Sequence, residues 1–188
     1  MRTGQALWRS LLFPSIVLFF SGACTRSGET PAVEAFPRDA SLRATFAAQE
    51  PAFERLREML MRDRHLWRIG FDLAYVDGPV GTPPRAPNRS ELPEPRWDEY
   101  RRLFRTLGIE RGATRESEEE GAEAIYLPTK IAPRGAVDSE EKGFVIYGPR
   151  PPDPLFTSLD SPPPPAYYAI AIYAPLKDHW YLYRRYNE

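Results

Sequence analysis

Apolar residues in the first half of the chain recur at the spacing of an amphipathic α-helix. With Gln49 counted in the series, they lie four and three positions apart from about Ala40 to Arg62, a period of about 3.6 residues. Pro51 lies inside this segment, where a proline lacks an N–H group and crowds the preceding turn. Because the apolar stripe continues past Pro51, the pattern predicts one kinked helix. The stripe consists of Leu42, Phe46, Phe53, Leu56 and Leu60.

A second helical pattern begins near Pro95, a residue suited to a first helical turn, and ends at Gly108. Its apolar side consists of Trp97, Tyr100, Leu103, Phe104 and Leu107. Between the two helices, Phe71–Val76 is a candidate short strand, and the glycines and prolines of residues 78–87 predict a loop.

Strand patterns dominate the remainder of the chain. We expect short strands at Ala124–Leu127 and Gly143–Tyr147. The charged segments 111–123 and 138–141 are typical of solvated loops. In the last tract, Tyr167–Tyr186, apolar and aromatic residues alternate on both sides of a break at residues 175–178, which predicts a C-terminal hairpin.

These elements predict an α+β fold with a single domain over residues 38–188. The expected sheet has about four mainly antiparallel strands, with the C-terminal hairpin at its centre and the two N-terminal helices over its apolar face. Eight of the seventeen residues from Pro149 to Pro165 are proline, which favours an extended loop. Leu155, Phe156 and Leu159 should hold this loop against the domain by apolar contacts.

Residues 1–23 have the layout of a secretory signal peptide. Arg2 and Arg9 precede an apolar run from Leu11 to Phe20, and small residues follow. The apolar run is too short to span a bilayer. Residues 24–37 are small, polar and interrupted by proline, which predicts a flexible tether.

Gly22-Ala23-Cys24 resembles the end of a bacterial lipobox, although Ser21 stands where leucine is usual. The resemblance implies that Cys24 carries acyl chains and anchors the protein to a membrane of the cell envelope. By the sorting of bacterial lipoproteins, Thr25 implies the outer membrane where the source has two membranes. Ser21 and Ala23 also fit an ordinary cleavage site, so plain secretion and a retained N-terminal anchor stay open.

Charge and cysteine content narrow the classes of partner. Without residues 1–23 the chain keeps 26 acidic and 23 basic residues, a net charge of −3. A net charge this close to zero gives no strong electrostatic field that would attract nucleic acid. Cys24 is the single cysteine and has no internal disulfide partner, which favours attachment as its role.

The sequence offers little catalytic chemistry. His65 and His179 are the two histidines, and no nucleophile, phosphate-loop or metal-ligand motif accompanies them. We expect neither a cofactor nor a metal. His179 directly follows Asp178, and a histidine with a carboxylate partner could act as a general base. Adjacent residues of a strand, however, point to opposite faces.

Tyrosines give a candidate binding face. Tyr167, Tyr173, Tyr181 and Tyr183 share odd positions along the hairpin, a parity that places them opposite Ile170, Ile172 and Leu182. If these rings are exposed, they would stack on sugars or contact a protein partner. Alternatively, the helices cover one sheet face and the proline-rich loop covers the other, so that the tyrosines are buried.

Several motifs together resemble a group of bacterial proteins of unknown function that often have export signals. The motifs are Trp97-x-x-Tyr100-x-x-Leu103-Phe104-x-x-Leu107-Gly108, Lys142-Gly143-Phe144, Pro151-Pro152-x-Pro154-Leu155, Ser158-Leu159-Asp160 and Trp180-Tyr181-Leu182-Tyr183. The resemblance implies one domain and transfers no catalytic residue. The leading hypothesis is a lipid-anchored envelope protein that binds a partner protein without catalysis. Glycan binding through the tyrosine face is the alternative, and a hydrolase using His179 comes last.

Overall fold

The structure is a computed structural model, and it describes residues 36–76, 83–117, 123–133, 139–148, 151–161 and 171–187. All of them belong to one compact unit, Glu34–Glu188. The signal peptide, Cys24, most of the tether, Ile170 and Tyr167 lie outside the described residues. Within these described ranges, no helix has the length and apolar character needed to cross a membrane.

Both predicted helices are confirmed. Helix α1 spans Asp39–Arg62, and Gln49 inside it has non-helical dihedral angles (φ −127°, ψ 21°), so the helix kinks just before Pro51 and then continues. Helix α2 spans Glu94–Leu107 and ends at Gly108, whose left-handed conformation (φ 66°) suits glycine.

Over the ranges that the structure describes, the sheet has seven strands rather than four, so the prediction of a four-stranded sheet is wrong although the general α+β class holds. The strands are β1 (Leu66–Ile69), β2 (Ala74–Val76), β3 (Ala113–Ser117), β4 (Glu123–Pro133), β5 (Ser139–Tyr147), β6 (Ile172–Lys177) and β7 (Trp180–Asn187). Their order across the sheet is β2-β1-β3-β4-β5-β7-β6. Every neighbouring pair is antiparallel.

Charged residues inside the strands explain why the sequence pattern missed much of the sheet. Strand β3 lies in the segment predicted to be a charged loop, and β5 begins in the acidic segment 138–141. Their charges are paired across the sheet: Arg185 contacts both Glu116 and Glu141, and Arg184 contacts Glu140. Ion pairing offsets the cost of placing these side chains in strands.

The C-terminal hairpin is confirmed, but its expected position at the centre of the sheet is wrong. Strand β7 pairs with β5 and β6, and β6 lies at the edge of the sheet, whereas β4 is the central strand. Pro175 lies in β6, and an edge strand is where a residue without an N–H group is tolerated.

The two faces of the sheet bury different kinds of side chain. The helices pack on one face, where Phe46 and Phe53 of α1 contact Phe144 and Trp180 edge to face or tilted, with ring centroids 4.6–6.3 Å apart. The opposite face buries Ala124, Tyr126, Val145, Tyr173 and Tyr183. Tyr173, Tyr181 and Tyr183 thus lie opposite Ile172 and Leu182, as the odd-even pattern predicts.

The described part of the proline-rich loop runs along the edge of the sheet. Leu155 and Tyr173 form a parallel bridge, and the Phe156 N–H donates to the Tyr173 carbonyl at 2.7 Å. Leu159 is fully buried in the helix-side core and Phe156 packs against that core, whereas Leu155 is 45% exposed. The predicted apolar attachment therefore holds for two of the three residues.

Candidate functional site

A pocket of about 550 Å³ lies between the second half of α1 and the tip of the β6–β7 hairpin. This volume falls in the range of small-molecule sites. We call it the hairpin pocket. The described residues that line it are Glu50, Glu54, Arg57, Gly148, Pro151, Asp178, His179, Trp180 and Tyr181.

Two elements place the polar residues of this pocket. Glu50, Glu54 and Arg57 are spaced four and three positions apart directly after the kink, so they share one face of α1. Asp178 and His179 form the two-residue turn of the hairpin, and Asp178 has a positive φ of 49°, which aspartate tolerates better than most residues. The Tyr147 N–H donates to the His179 carbonyl at 2.9 Å and fixes the turn against β5.

The carboxylate of Glu54 is held from both sides. The Trp180 indole N–H donates to Oε1 at 2.7 Å, and Arg57 Nε donates to Oε2 at 2.8 Å. Burial alone would raise the pKa of Glu54, but the hydrogen bonds from Arg57 and Trp180 and the charges of Arg57 and Lys177 outweigh it and lower that pKa. Glu54 is therefore ionised near neutral pH and acts as an acceptor, not as an acid.

Further contacts join α1 to the hairpin beside the pocket. Glu50 forms an ion pair with Lys177, whose pKa is raised by its hydrogen bond to that carboxylate. Arg43 Nη1 donates to the Pro175 carbonyl at 2.7 Å. The pocket wall is thus built from two elements cross-linked by polar contacts on both sides of the helix kink.

Three lining groups remain open to a ligand. The side chains of Asp178 and His179 are exposed, and Tyr181 is half-buried. The Tyr181 ring lies edge to face with the Tyr147 ring, with centroids 6.5 Å apart. The described contacts include no hydrogen bond between the Asp178 and His179 side chains.

The chemistry required of a hydrolase is only partly present in this pocket. His179 does share it with carboxylates, but the nine lining residues that the structure describes include no serine, threonine or cysteine nucleophile. Among the residues that the structure describes, no group of three or more His, Cys, Asp or Glu side chains is arranged to hold a metal ion. The arrangement suits recognition of a polar ligand.

The tyrosines of the predicted binding face lie mostly in the interior. Tyr173 is 3% exposed and Tyr183 is fully buried. The hydroxyl groups of Tyr126 and Tyr173 are 2.8 Å apart, and the Tyr183 hydroxyl donates to Glu141 at 3.2 Å. Burial raises the pKa of Tyr183 well above its usual value. These two rings have no surface for a sugar.

Tyr181 alone among the described candidates reaches the hairpin pocket. Sequence reasoning missed Glu50, Glu54, Arg57 and Trp180 as site residues. The first three share the polar face of a recognisable helix, which was the available signal. Their position against a hairpin more than 120 residues away depends on the tertiary fold, which local periodicity does not encode.

A second polar group lies away from the pocket and ties the start of α1 to the sheet. Lys142, 1% exposed, contacts Asp39 at 2.7 Å and Asp160 at 2.8 Å. Asp39 also accepts the Leu159 N–H at 2.7 Å, and Arg184 Nη1 donates to the Leu159 carbonyl at 2.9 Å. We call the buried side chains Asp39, Lys142, Glu140 and Arg184, together with the exposed Asp160 that pairs with Lys142, the buried ion cluster.

The buried ion cluster is a structural feature. The hydrogen bond from Lys142 lowers the pKa of Asp160, so the carboxylate stays charged and paired. The cluster joins four chain segments: the start of α1, the proline-rich loop, strand β5 and strand β7.

Comparison with known proteins gives no family model, curated protein or solved structure that matches this chain. The geometry of the described residues is therefore the basis for a functional proposal.

Proposed function

We propose that this protein is an exported, lipid-anchored binding module of the bacterial envelope, and that the hairpin pocket is its ligand site. In this proposal Cys24 is the point of attachment and residues 24–37 are the tether. In a two-membrane bacterium, the outer membrane is the destination. The module binds its partner or ligand without catalysing a reaction on it.

The fixed lining of the hairpin pocket is the observation that supports this proposal. Glu54 receives two hydrogen bonds and Glu50 is in an ion pair, so the walls are organised before a ligand arrives. Preorganised walls reduce the entropic cost of binding. Because the pKa of Glu54 is lowered, this carboxylate does not serve as the general acid that hydrolysis of a polar substrate requires.

The exposed surface favours a polar ligand or partner group. Leu73 and Leu155 are the large hydrophobic side chains that are exposed in the described part of the chain. They lie at opposite edges of the sheet, next to β2 and β6 respectively. These two residues do not form the contiguous apolar patch that typically marks a protein interface.

Metabolic labelling with a fatty acid tests the attachment. The wild-type protein should incorporate label, and Cys24→Ala should not, because the Cys24 thiol is the point at which the lipid is attached. Ser27→Ala is the matched control in the same segment and should keep the label. Label that persists in Cys24→Ala would rule out lipidation at this residue.

Crosslinking in cells tests the pocket. A photoreactive amino acid at His179 should give a defined adduct, because this side chain is exposed and lines the pocket. The same amino acid at Asp72, which is exposed and near the far edge of the sheet, is the control. Equal adducts at both positions, or none at His179, would contradict the proposal.

A further inference from the structure

We propose that the sheet carries a second interaction surface, at the side of the sheet opposite the hairpin, which binds an acidic segment of a partner protein. We call it the arginine patch, and it consists of Trp67, Arg68, Tyr75 and Thr114. Arg68 binds a carboxylate of the partner, and the rings of Trp67 and Tyr75 contact an apolar residue beside that carboxylate. The patch lies on β1, β2 and β3, away from β6 and β7, so this inference goes beyond the proposed function and does not depend on it.

The strand register places the patch on one face of the sheet. Both neighbours of Tyr75 in β2 are buried in the helix-side core, so Tyr75 points to the opposite face. Tyr75 is paired with Arg68, and Arg68 is paired with Thr114 of β3. Thr114 is in turn paired with Tyr126, which is buried on that opposite face. Residues directly opposite each other in paired strands share a face, so Tyr75, Arg68 and Thr114 form one continuous row.

Arg68 is a cation that the described residues do not neutralise. Its side chain is half-buried, and its Nε atom is buried without a hydrogen-bond acceptor. Glu116 lies two residues after Thr114 on the same face of β3, but both of its oxygens accept from Arg185 Nη1, at 2.8 and 2.9 Å. A buried donor without an acceptor costs free energy. A carboxylate brought by a partner would satisfy the guanidinium with two parallel hydrogen bonds.

Trp67 and Tyr75 form the apolar part of the patch. Their rings lie edge to face with centroids 6.4 Å apart, and both side chains are half-buried. The register between β1 and β2 shifts at Trp67, and such an irregularity re-aims a side chain. Within the described part of the chain, neither ring belongs to the helix-side core or to the tyrosines buried on the opposite face. The two rings therefore offer apolar area beside an arginine, and these three residue types are enriched at the energetic centres of protein interfaces.

The charge of the patch determines the sign of the partner. Arg85, which is bridged to the edge of β2, is already paired with Glu91. Asp72, in the turn between β1 and β2, forms no described contact with Arg68. An acidic segment would place its carboxylate on Arg68, whereas a basic segment would face like charge.

Selection of displayed peptides tests this inference. A random nonapeptide library on phage is selected against the full-length protein in detergent, against Arg68→Met and against Arg102→Met. Arg102 is an exposed arginine of α2 and provides the matched control. The wild type and Arg102→Met should enrich the same peptides, with Asp or Glu beside an aromatic or large aliphatic residue, and Arg68→Met should not. Enrichment of basic peptides, no enrichment at all, or the same acidic peptides with Arg68→Met would overturn the proposal.

Binding of the selected peptide, measured by fluorescence anisotropy, tests the contact itself. Arg68→Met should weaken binding by about tenfold or more, and so should a peptide in which the acid is replaced by its amide. The two changes together should weaken binding little further than either one, because they remove the same interaction. Fully additive losses would show that Arg68 does not contact this carboxylate.

Two further measurements separate the patch from a structural role and from the hairpin pocket. Arg68→Met removes a half-buried cation without a described partner, so the melting temperature should not fall; a large fall would assign Arg68 to the fold and overturn its role in binding. The selected peptide should slow hydrogen exchange in β1 and β2 and leave β6 and β7 unchanged. Protection of the hairpin alone would place the peptide in the hairpin pocket and overturn the arginine patch.

Discussion

At the scale of single residues, this protein places charge where a hydrophobic pattern predicts none. Lys142 is buried between two aspartates, and Arg115 is buried with its guanidinium donating to the Leu60 carbonyl at 2.7 Å. Such side chains are indistinguishable from solvated ones in a sequence, because their partners lie tens of residues away. Glu54 and Arg57 were not predicted as site residues for the same reason, because the hairpin that they face is distant in the sequence.

Replacing Lys142 tests the buried ion cluster. Lys142→Met leaves Asp39 and Asp160 without their cation, so the free energy of unfolding should fall by about 3–5 kcal/mol. Lys177→Met, which removes an exposed ion pair with Glu50, should cost much less, because water screens that pair. Urea denaturation of the two variants measures both values, and equal losses would contradict the role of the cluster.

Acid should reduce the difference in the free energy of unfolding between the wild-type protein and Lys142→Met. The pKa of Asp160 is lowered in the folded protein, so its contribution to stability is present above the unfolded pKa of about 3.9 and disappears as the pH falls through the folded value. Urea titrations at pH 7 and pH 3 should therefore show a smaller difference at pH 3.

The pKa of Glu91 provides a further prediction. Hydrogen bonds from Arg85 and the Asn88 N–H lower the pKa of Glu91 to about 2. In an NMR titration, Arg85→Ala should move this pKa toward the ordinary value of about 4.3. An unchanged pKa in the variant would show that Arg85 is not the main cause.

At the scale of elements, the helices were predictable and the sheet was only partly so. The apolar stripe and Gly108 define both helices, because helix periodicity and capping are local. Strands β1 and β3 are short, and β3 contains Arg115 and Glu116, so alternation is absent. Their strand conformation depends on the neighbours that pair with them. Of the hairpin pocket, local pattern identified only His179, Asp178 and Tyr181 as candidates.

Two glycines at the ends of elements should respond differently to alanine. A Cβ atom at Gly108 meets nothing within 4 Å, whereas at Gly112 it would lie 2.0 Å from the Ile69 carbonyl oxygen. Gly108→Ala should therefore cost about 1–2 kcal/mol, the cost of a positive φ. Gly112→Ala, at φ 90°, should cost clearly more, because it also separates β1 from β3. Thermal unfolding compares the two, and equal midpoints would contradict this account.

At the scale of the whole molecule, both edges of the sheet are partly covered by the chain itself. Arg85 exchanges two backbone hydrogen bonds with Val76 at the β2 edge, and Phe156 donates to Tyr173 at the β6 edge. Covered edges disfavour strand addition by another chain, so a ligand would be held by side chains. This is consistent with a pocket at the end of the hairpin as the proposed site.

Hydrogen exchange should reveal the order of stability across the sheet. Amides of β4 and β5, such as those of Leu127 and Phe144, lie at the centre between buried faces and should exchange only on global unfolding. Amides of β2 should exchange at least about 100-fold faster through local opening. Uniform rates across the sheet would show that the edge does not open separately.

The first residue of α1 gives the domain a defined response to mechanical force. Asp39 begins the helix and at the same time contacts Lys142 of β5 and the Leu159 N–H. If the chain is pulled from its N-terminal end, as an anchored tether would pull it, the force reaches β5 through this ion pair before the helix can unwind. In a protein anchored as proposed, a pull on the tether would therefore first load the contacts of Asp39 with Lys142 and Leu159.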